Sequence, residues 1–104
     1  MSQQYQAVAM VGEVPVGTMH CVQVAGKRVL IANVDGVFHA VDEMCSHEDY
    51  SLCYGALQGE RIKCSLHGSR FDLKTGQPLD DPADEPINVF SVKVEGEQIL
   101  LALD

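Results

Sequence analysis

The chain has 104 residues, enough for one hydrophobic core and too few for two. Its 15 acidic residues outnumber its 7 basic ones and give a formal net charge of −8, which argues against nucleic-acid binding because phosphates require a cationic surface. No apolar stretch approaches the roughly 20 residues that cross a bilayer, and the first residues lack the basic start and apolar run of a secretory signal. We therefore expect a single domain over residues 1–104 that is cytoplasmic and contacts neither membrane nor nucleic acid.

Turn signals are frequent along the chain, whereas helix signals are scarce. Asp35-Gly36 and Glu95-Gly96 are typical of tight hairpin turns, because Gly adopts the positive φ that such turns need. Short strands joined by such turns predict an all-β sandwich or small barrel. The predicted strands are Tyr5–Ala9, Met19–Val24, Arg28–Val34, Val37–Asp42, Arg61–Cys64, Arg70–Leu73, Asn88–Glu95 and Gln98–Ala102.

Two stretches break this pattern of strands and turns. Residues 43–59 show no sustained alternation, and a run of this length inside a compact domain indicates either a functional loop or a wrong assignment. Residues 80–86 form the second stretch, where Pro82 and Pro86 exclude a central strand. The acidic residues of this second stretch are typical of a solvated loop.

Two short segments each combine one thiol with one imidazole. One residue separates Cys45 from His47, two separate Cys64 from His67, and sixteen lie between His47 and Cys64. The other cysteines and histidines have no partner at an informative spacing, so packing or surface exposure is the default for Cys21, Cys53, His20 and His39. In a reducing compartment we expect the four cysteines to be thiols or metal ligands rather than disulfides.

Zinc is the first metal to consider for two Cys and two His side chains. Zinc fingers place like ligands in the same segment, whereas each segment here carries one ligand of each type. In an extended chain Cys45 and His47 point the same way, about 6–7 Å apart, which suits two neighbouring metal atoms better than one tetrahedral centre. A two-iron, two-sulfide cluster suits this ligand spacing, with the two thiols bound to one iron and the two imidazoles to the other.

Charge counting predicts what this ligand set does to the cluster. Two ferric ions and two sulfides carry +2, so two thiolates make the oxidised cluster neutral, whereas four thiolates leave it at −2. A neutral centre accepts an electron more easily, and clusters with two His ligands accordingly have potentials of about −150 to +300 mV, against about −400 mV for plant-type all-Cys clusters. The residues therefore predict a one-electron carrier of intermediate potential.

The two segments also resemble a known family. Cys-Ser-His, the interval that follows it and Cys-Ser-Leu-His-Gly-Ser-Arg-Phe-Asp together resemble the Rieske iron–sulfur signature, and the resemblance extends over the whole chain. It implies an all-β Rieske fold, with an antiparallel β-sandwich base and a small cluster-binding subdomain of two loops at about residues 43–73. It also implies one [2Fe–2S] cluster held by Cys45, His47, Cys64 and His67, with the histidines at an exposed tip.

Two departures from respiratory-chain Rieske proteins indicate the subclass. Those proteins have a membrane anchor, whereas no stretch of this sequence is apolar enough to be one. They also have an additional Cys in each cluster loop, and the matching positions here are Tyr50 and Leu66. Without a mononuclear-iron domain, the chain resembles the ferredoxin component of a bacterial aromatic-ring-hydroxylating dioxygenase system. That resemblance implies a monomeric, non-enzymatic carrier of single electrons from a flavin-containing ferredoxin reductase to a terminal Rieske oxygenase. Two alternatives stay open: the small Rieske subunit of an assimilatory nitrite reductase, and a structural zinc-binding interaction module.

Residues beside the two segments bear on the reduction potential. High-potential members present a Ser and a Tyr that hydrogen-bond the cluster, and this chain keeps Ser69 but has Phe71 in place of the Tyr. Because a missing donor leaves charge on sulfur uncompensated, we predict a potential in the lower half of the Rieske range. Glu48 stands where family members commonly have Gly, and Asp49 follows it. We expect this pair of carboxylates to lower the potential and aid docking, with a solvated loop charge as the alternative. Pro86 resembles the proline loop that covers the cluster in this family.

Overall fold

The structure is a computed structural model. The residues that it describes form nine strands and two short 3₁₀ turns, Val11–Glu13 and Leu52–Tyr54. Those residues are 4–45, 50–65, 68–79 and 85–102. None of the helical turns within these ranges has the length and apolar character needed to span a bilayer. The strands are β1 (Tyr5–Met10), β2 (Met19–Val24), β3 (Lys27–Val34), β4 (Val37–Asp42), β5 (Ala56–Gln58), β6 (Arg61–Lys63), β7 (Arg70–Asp72), β8 (Val89–Glu95) and β9 (Gln98–Ala102).

The strands form two antiparallel sheets. The larger has six strands in the order β1-β9-β8-β4-β3-β2, and the smaller has three in the order β5-β6-β7. Asp35 and Gly36 both have positive φ in the turn that joins β3 to β4, as the hairpin prediction required. All eight predicted strands are present to within one residue at either end, and the predicted all-β class is confirmed. The prediction missed β5, which lies in the stretch without alternation.

Strand β3 is buried on both of its faces. Leu30 and Ala32 face one hydrophobic core, whereas Val29 and Ile31 face the other. A strand covered on both sides reads as a continuous apolar run, which explains why this segment lacks polar alternation. The core on the Val29 side, here the base core, consists of Val14, Val29, Ile31, Ala40, Ile99 and Leu101.

The other core lies between the two sheets and contains two of the cysteines. We call it the cysteine core; its members are Leu30, Ala32, Val41, Cys45, Leu52, Ile62, Cys64, Phe71, Leu73 and Ile87. Burial of each large apolar side chain contributes about 1.5–3 kcal/mol, so this core fixes the small sheet firmly against β3 and β4. It thereby fixes the positions of Cys45 and Cys64 as well.

Two glycines allow the chain to approach itself closely around this core. A Cβ at Gly55 would overlap the backbone carbonyl of Lys63, so the segment that leads into β5 packs directly on β6. A Cβ at Gly76 would overlap the carbonyl of Ile87, whose own N–H donates to the Gly76 carbonyl at 2.9 Å. Through this contact Ile87 enters the cysteine core, whereas the neighbouring Pro86 is exposed.

Candidate iron–sulfur site

The first cysteine loop, residues 43–55, connects β4 of the large sheet to β5 of the small one. Its two ends run side by side as a narrow antiparallel ladder. The Leu52 N–H donates to the Glu43 carbonyl at 2.6 Å, and the Cys45 N–H donates to the Tyr50 carbonyl at 3.0 Å. These hydrogen bonds fix the backbone of Cys45 beside that of Tyr50, where the two ends of the loop are paired.

The second cysteine loop, residues 64–69, connects β6 to β7 within the small sheet. The Cys64 N–H donates to the Ser69 carbonyl at 2.8 Å, and the Gly68 N–H donates back to the Cys64 carbonyl at 2.9 Å. Gly68 has φ +76°, a conformation that favours Gly over residues with a side chain. In both loops the backbone N–H of the cysteine closes the loop on the carbonyl of the residue five positions later.

The structure brings the two predicted thiol ligands into one buried environment. The side chains of Cys45 and Cys64 are 6% and 1% exposed, and both belong to the cysteine core together with Leu52 and Phe71. Neither takes part in a disulfide. The loop that joins the two sheets and the loop within the small sheet therefore each deliver one buried thiol to the same apolar region.

The two predicted imidazole ligands cannot be placed in the same way. His47 and His67 lie outside the described residues, as do Glu48, Asp49 and Leu66. Among the residues that are described, no three His, Cys, Asp or Glu side chains form a metal-binding group. The ligand roles of His47 and His67 therefore stay predictions that rest on their spacing from Cys45 and Cys64.

A buried carboxylate that the sequence analysis did not single out fastens the first cysteine loop to β3. Glu43 accepts hydrogen bonds from the Ser51 hydroxyl at 2.6 Å and from the Arg28 guanidinium at 2.8 Å. The Ser51 oxygen in turn accepts from the Cys53 N–H at 3.1 Å. Ser51 precedes a 3₁₀ turn, and a Ser in that position is a recognisable cap signal, whereas nothing in the sequence marks Glu43 as buried.

Cys21 and Cys53 correct the expectation for the cysteines. They form a disulfide in the structure, with their Cα atoms 6.3 Å apart, although the sequence analysis expected thiols and found no partner for either. Cys21 lies on β2 and Cys53 in the 3₁₀ turn of the first cysteine loop, so their contact depends on how the loop folds over the sheet. A separation of 32 residues gave no signal of this pairing.

His39 lies on β4 and is half-buried. Burial lowers the pKa of His39 below its ordinary value of 6.5, and Lys74 lowers it further, whereas Glu60 and Asp72 raise it. Half-burial on a strand agrees with the default expectation for His39, which was packing or surface exposure.

Comparison with known proteins identifies the family. The family model of the Rieske [2Fe–2S] domain matches residues 4–101. The chain belongs to the Rieske [2Fe–2S] domain family. The Rieske fold and the [2Fe–2S] cofactor that the two Cys/His segments predicted are thereby confirmed.

Several Rieske relatives with similar sequences and structures are ferredoxins. The chain is 33% identical over 104 residues, the full length of both chains, to the ferredoxin component of the naphthalene 1,2-dioxygenase/salicylate 5-hydroxylase systems of a Ralstonia species. The solved ferredoxin of carbazole 1,9a-dioxygenase from Nocardioides aromaticivorans superposes with a TM-score of 0.91 at 30% identity, covering 97% of this chain and 99% of that one. A ferredoxin solved in complex with the reduced oxygenase of carbazole 1,9a-dioxygenase superposes with a TM-score of 0.89, also at 30% identity, covering 97% of this chain and 94% of that one.

The described residues fit a Rieske cluster. Iron–sulfur clusters are held by Cys thiolates, and the structure supplies two buried thiols, from two loops, in one apolar core. The apolar side chains of the cysteine core exclude water around these thiols, and limited solvent access is one of the factors that set a cluster's potential. The donor set and its surroundings are therefore compatible with the cofactor of the family.

Two of the residues expected to influence the Rieske potential, Ser69 and Phe71, are fully enclosed. Ser69 is 1% exposed, and its carbonyl closes the second cysteine loop. Phe71 is 0% exposed and packs in the cysteine core with Cys45 and Cys64. A phenyl ring at this position supplies no hydroxyl donor, so the low potential remains a prediction with a defined structural basis.

Proposed function

We propose that this Rieske protein is the ferredoxin of an aromatic-ring dioxygenase system, carrying single electrons to a terminal oxygenase. The observation that carries the proposal is the pair of buried thiols, Cys45 and Cys64, each in a loop closed by a backbone hydrogen bond from the cysteine to the residue five positions later. The chain that contains them is similar over its full length to a dioxygenase ferredoxin. The protein itself turns over no substrate; its role is electron transfer.

The cysteine loops hold the cofactor in this proposal. When bound, a [2Fe–2S] cluster supplies a centre that accepts and releases one electron. Cys45 and Cys64 bind it as thiolates, and His47 and His67 are the remaining proposed ligands. The backbone hydrogen bonds of both loops keep the cysteines in place, and the cysteine core keeps water away from them.

The cluster-binding part of the chain is proposed to be a subdomain at about residues 43–73, inserted in a β base within one domain of residues 1–104. In support, the small sheet and both cysteine loops occur between β4 and β8, which pair with each other in the large sheet. The base thereby continues on both sides of the inserted segment.

The proposed electron acceptor is the terminal Rieske oxygenase. A solved complex of an oxygenase with a similar ferredoxin supports this partner. The side chain of Tyr54, at the end of the first cysteine loop, is 72% exposed, and exposed aromatic residues are frequent anchors of protein interfaces. A flavin-containing reductase as electron donor, a monomeric state and a cytoplasmic location complete the proposal.

Stopped-flow mixing tests the proposal directly. The purified holoprotein is reduced, mixed without oxygen with the oxidised terminal oxygenase of an aromatic-ring dioxygenase, and followed by its visible absorbance. We expect reoxidation that becomes faster with increasing oxygenase concentration. Reoxidation by the large subunit of an assimilatory nitrite reductase, with none by any such oxygenase, would contradict the assignment. The Tyr54→Ala variant should retain its cluster but transfer electrons more slowly, and Val37→Ala, at an exposed position on β4, is the matched control.

A further inference from the structure

Cys21 and Cys53 form a second cysteine pair with no role in the proposed cluster. Cys21 lies on β2, an edge strand of the large sheet, opposite the fully buried Leu30 of β3. Cys53 lies in the 3₁₀ turn at the end of the first cysteine loop, directly after the fully buried Leu52. Both are partly buried and pack against the cysteine core, so the pair lies at its periphery.

The backbone at this pair is suited to a disulfide. The Cα atoms are 6.3 Å apart, within the range of about 4.4–6.8 Å that disulfides span. Since the chain has four cysteines, oxidation of this pair leaves Cys45 and Cys64 as the remaining thiols for iron. The bond would connect the base sheet to the loop that delivers Cys45.

We propose that Cys21 and Cys53 are a redox-responsive thiol pair whose disulfide fastens the first cysteine loop to β2 and thereby slows cluster loss. In reducing compartments, disulfides of this kind are usually transient and redox-sensing rather than permanent. Partial burial suits such a role, because a small reagent reaches the pair while the thiols at the cluster site stay enclosed.

The oxidant is a low-molecular-weight disulfide such as oxidised glutathione. The thiolate of one cysteine attacks a sulfur of the small disulfide, forming a mixed disulfide and releasing one small thiol. The second thiolate then attacks the mixed disulfide, which forms the Cys21–Cys53 bond and releases the second small thiol. Two electrons pass from the protein to the reagent, and the two protons lost by the cysteines end on the released thiols. This two-electron step is separate from the one-electron chemistry of the cluster.

Oxidation is expected to hold the loop more tightly for a structural reason. Among the described residues, hydrogen bonds join the loop to β3 at Glu43, whose carboxylate accepts from the Arg28 guanidinium and whose N–H donates to the Arg28 carbonyl at 3.1 Å. The Ser51 hydroxyl and the Leu52 N–H bind Glu43 from within the loop. A covalent link at Cys53 restricts opening of the same segment, and a cross-link between distant positions also reduces the freedom of the unfolded chain. The effect on cluster loss rests on the proposed ligand role of Cys45, whereas the pairing itself does not.

Thiol mapping on the holoprotein tests the pairing. The protein is equilibrated in glutathione buffers of increasing oxidised fraction, quenched in acid, alkylated while denatured and mapped by peptide mass spectrometry. We expect Cys45 and Cys64 to be alkylated in every buffer, whereas Cys21 and Cys53 become protected together and are found as one linked peptide pair. Alkylation of Cys21 and Cys53 in every buffer, or separate glutathione adducts on them, would overturn the pairing.

Cluster lifetime tests the consequence. The loss of visible absorbance at raised temperature should be several-fold slower for the oxidised wild-type protein than for the reduced one. Cys21→Ser, Cys53→Ser and the double variant should lose this dependence on the glutathione buffer to the same extent. An equal lifetime of both wild-type forms, with the thiol map showing the disulfide, would overturn the fastening role. Iron and sulfide content, determined on the same samples, reports separately on the proposed electron-carrier function.

Discussion

The two cysteine loops perform the same task with different architectures. The second loop lies within one hairpin: Lys63 pairs with Arg70 at the end of β6 and β7, and the Cys64–Ser69 hydrogen bond continues the ladder. The first loop instead joins two different sheets, and its two ends pair only through the short ladder around the Met44–Ser51 bridge, which lies outside the named strands.

This difference explains where the side-chain attachments occur. The longer first loop is held by Glu43, Ser51, the disulfide at Cys53 and the close approach at Gly55. A longer loop loses more conformational entropy when its ends are fixed, and hydrogen-bonded side chains offset part of that loss. The comparison teaches that the register of β6 and β7 positions the loop within the hairpin, whereas side chains and a disulfide add to the short ladder that positions the loop between the sheets.

The largest effect is expected from Glu43→Ala, which removes the anchor of the first loop. The variant leaves the buried Ser51 hydroxyl without its carboxylate partner and frees Arg28, so the free energy of unfolding should fall by about 2–3 kcal/mol in chemical denaturation. Lys74→Ala is the matched control, because it removes the exposed Lys74–Glu60 pair at 2.8 Å and should leave stability nearly unchanged. Equal stabilities of the two variants would show that the first loop does not depend on this anchor.

A smaller effect is expected from Gly55→Ala, at the approach of the first loop to β6. The added methyl group meets the Lys63 carbonyl, and the backbone shift that relieves this overlap should cost about 1–3 kcal/mol of unfolding free energy. Gly12→Ala is the control, since a Cβ there meets no atom within 4 Å. A Gly55→Ala protein as stable as the Gly12→Ala protein would contradict the close packing of the two cluster-site segments.

Phe71→Tyr tests the second loop and should raise the midpoint potential. A hydroxyl donor would stabilise the reduced form by about 0.5–1.5 kcal/mol, which corresponds to about 20–60 mV for one electron. Protein-film voltammetry measures this shift, with Phe38→Tyr, beside the base core, as the control that should leave the potential unchanged. An unchanged potential in Phe71→Tyr would contradict the interpretation that the missing hydroxyl keeps the potential low.

The smallest effect concerns pH and His39, on the strand that enters the first loop. Burial lowers the folded-state pKa of His39 below 6.5, so the unfolded chain binds the extra proton first as the pH falls. The stability contribution of neutral His39 is therefore fully present above pH 6.5 and declines as the pH falls below it, toward the folded-state pKa. The facing groups Glu60 and Asp72 reduce this effect, and Lys74 increases it.

Denaturation at several pH values checks the His39 prediction. Stability of the wild-type protein should fall more steeply below pH 6.5 than that of His39→Gln, while above that pH the difference between the two proteins should be constant. Parallel curves over the whole range would contradict it.

Much of the fold could be predicted because glycine turns separate its apolar runs. Strand β5 was missed because Ala56–Gln58 has three residues, too few for a period-2 pattern to stand out in the sequence. The thiols Cys45 and Cys64 could be predicted as a pair because each lies beside a histidine in a spaced motif. The Cys21–Cys53 contact and the burial of Glu43 could not, since both arise only when the first loop folds over the large sheet.

Iron and acid-labile sulfide analysis of anaerobically purified protein, combined with electron paramagnetic resonance after reduction, tests the central claim most directly. The account predicts two iron atoms and two sulfides per chain, and a rhombic signal of low average g value that Cys45→Ser and Cys64→Ser abolish. A colourless protein that contains zinc and no labile sulfide would contradict it.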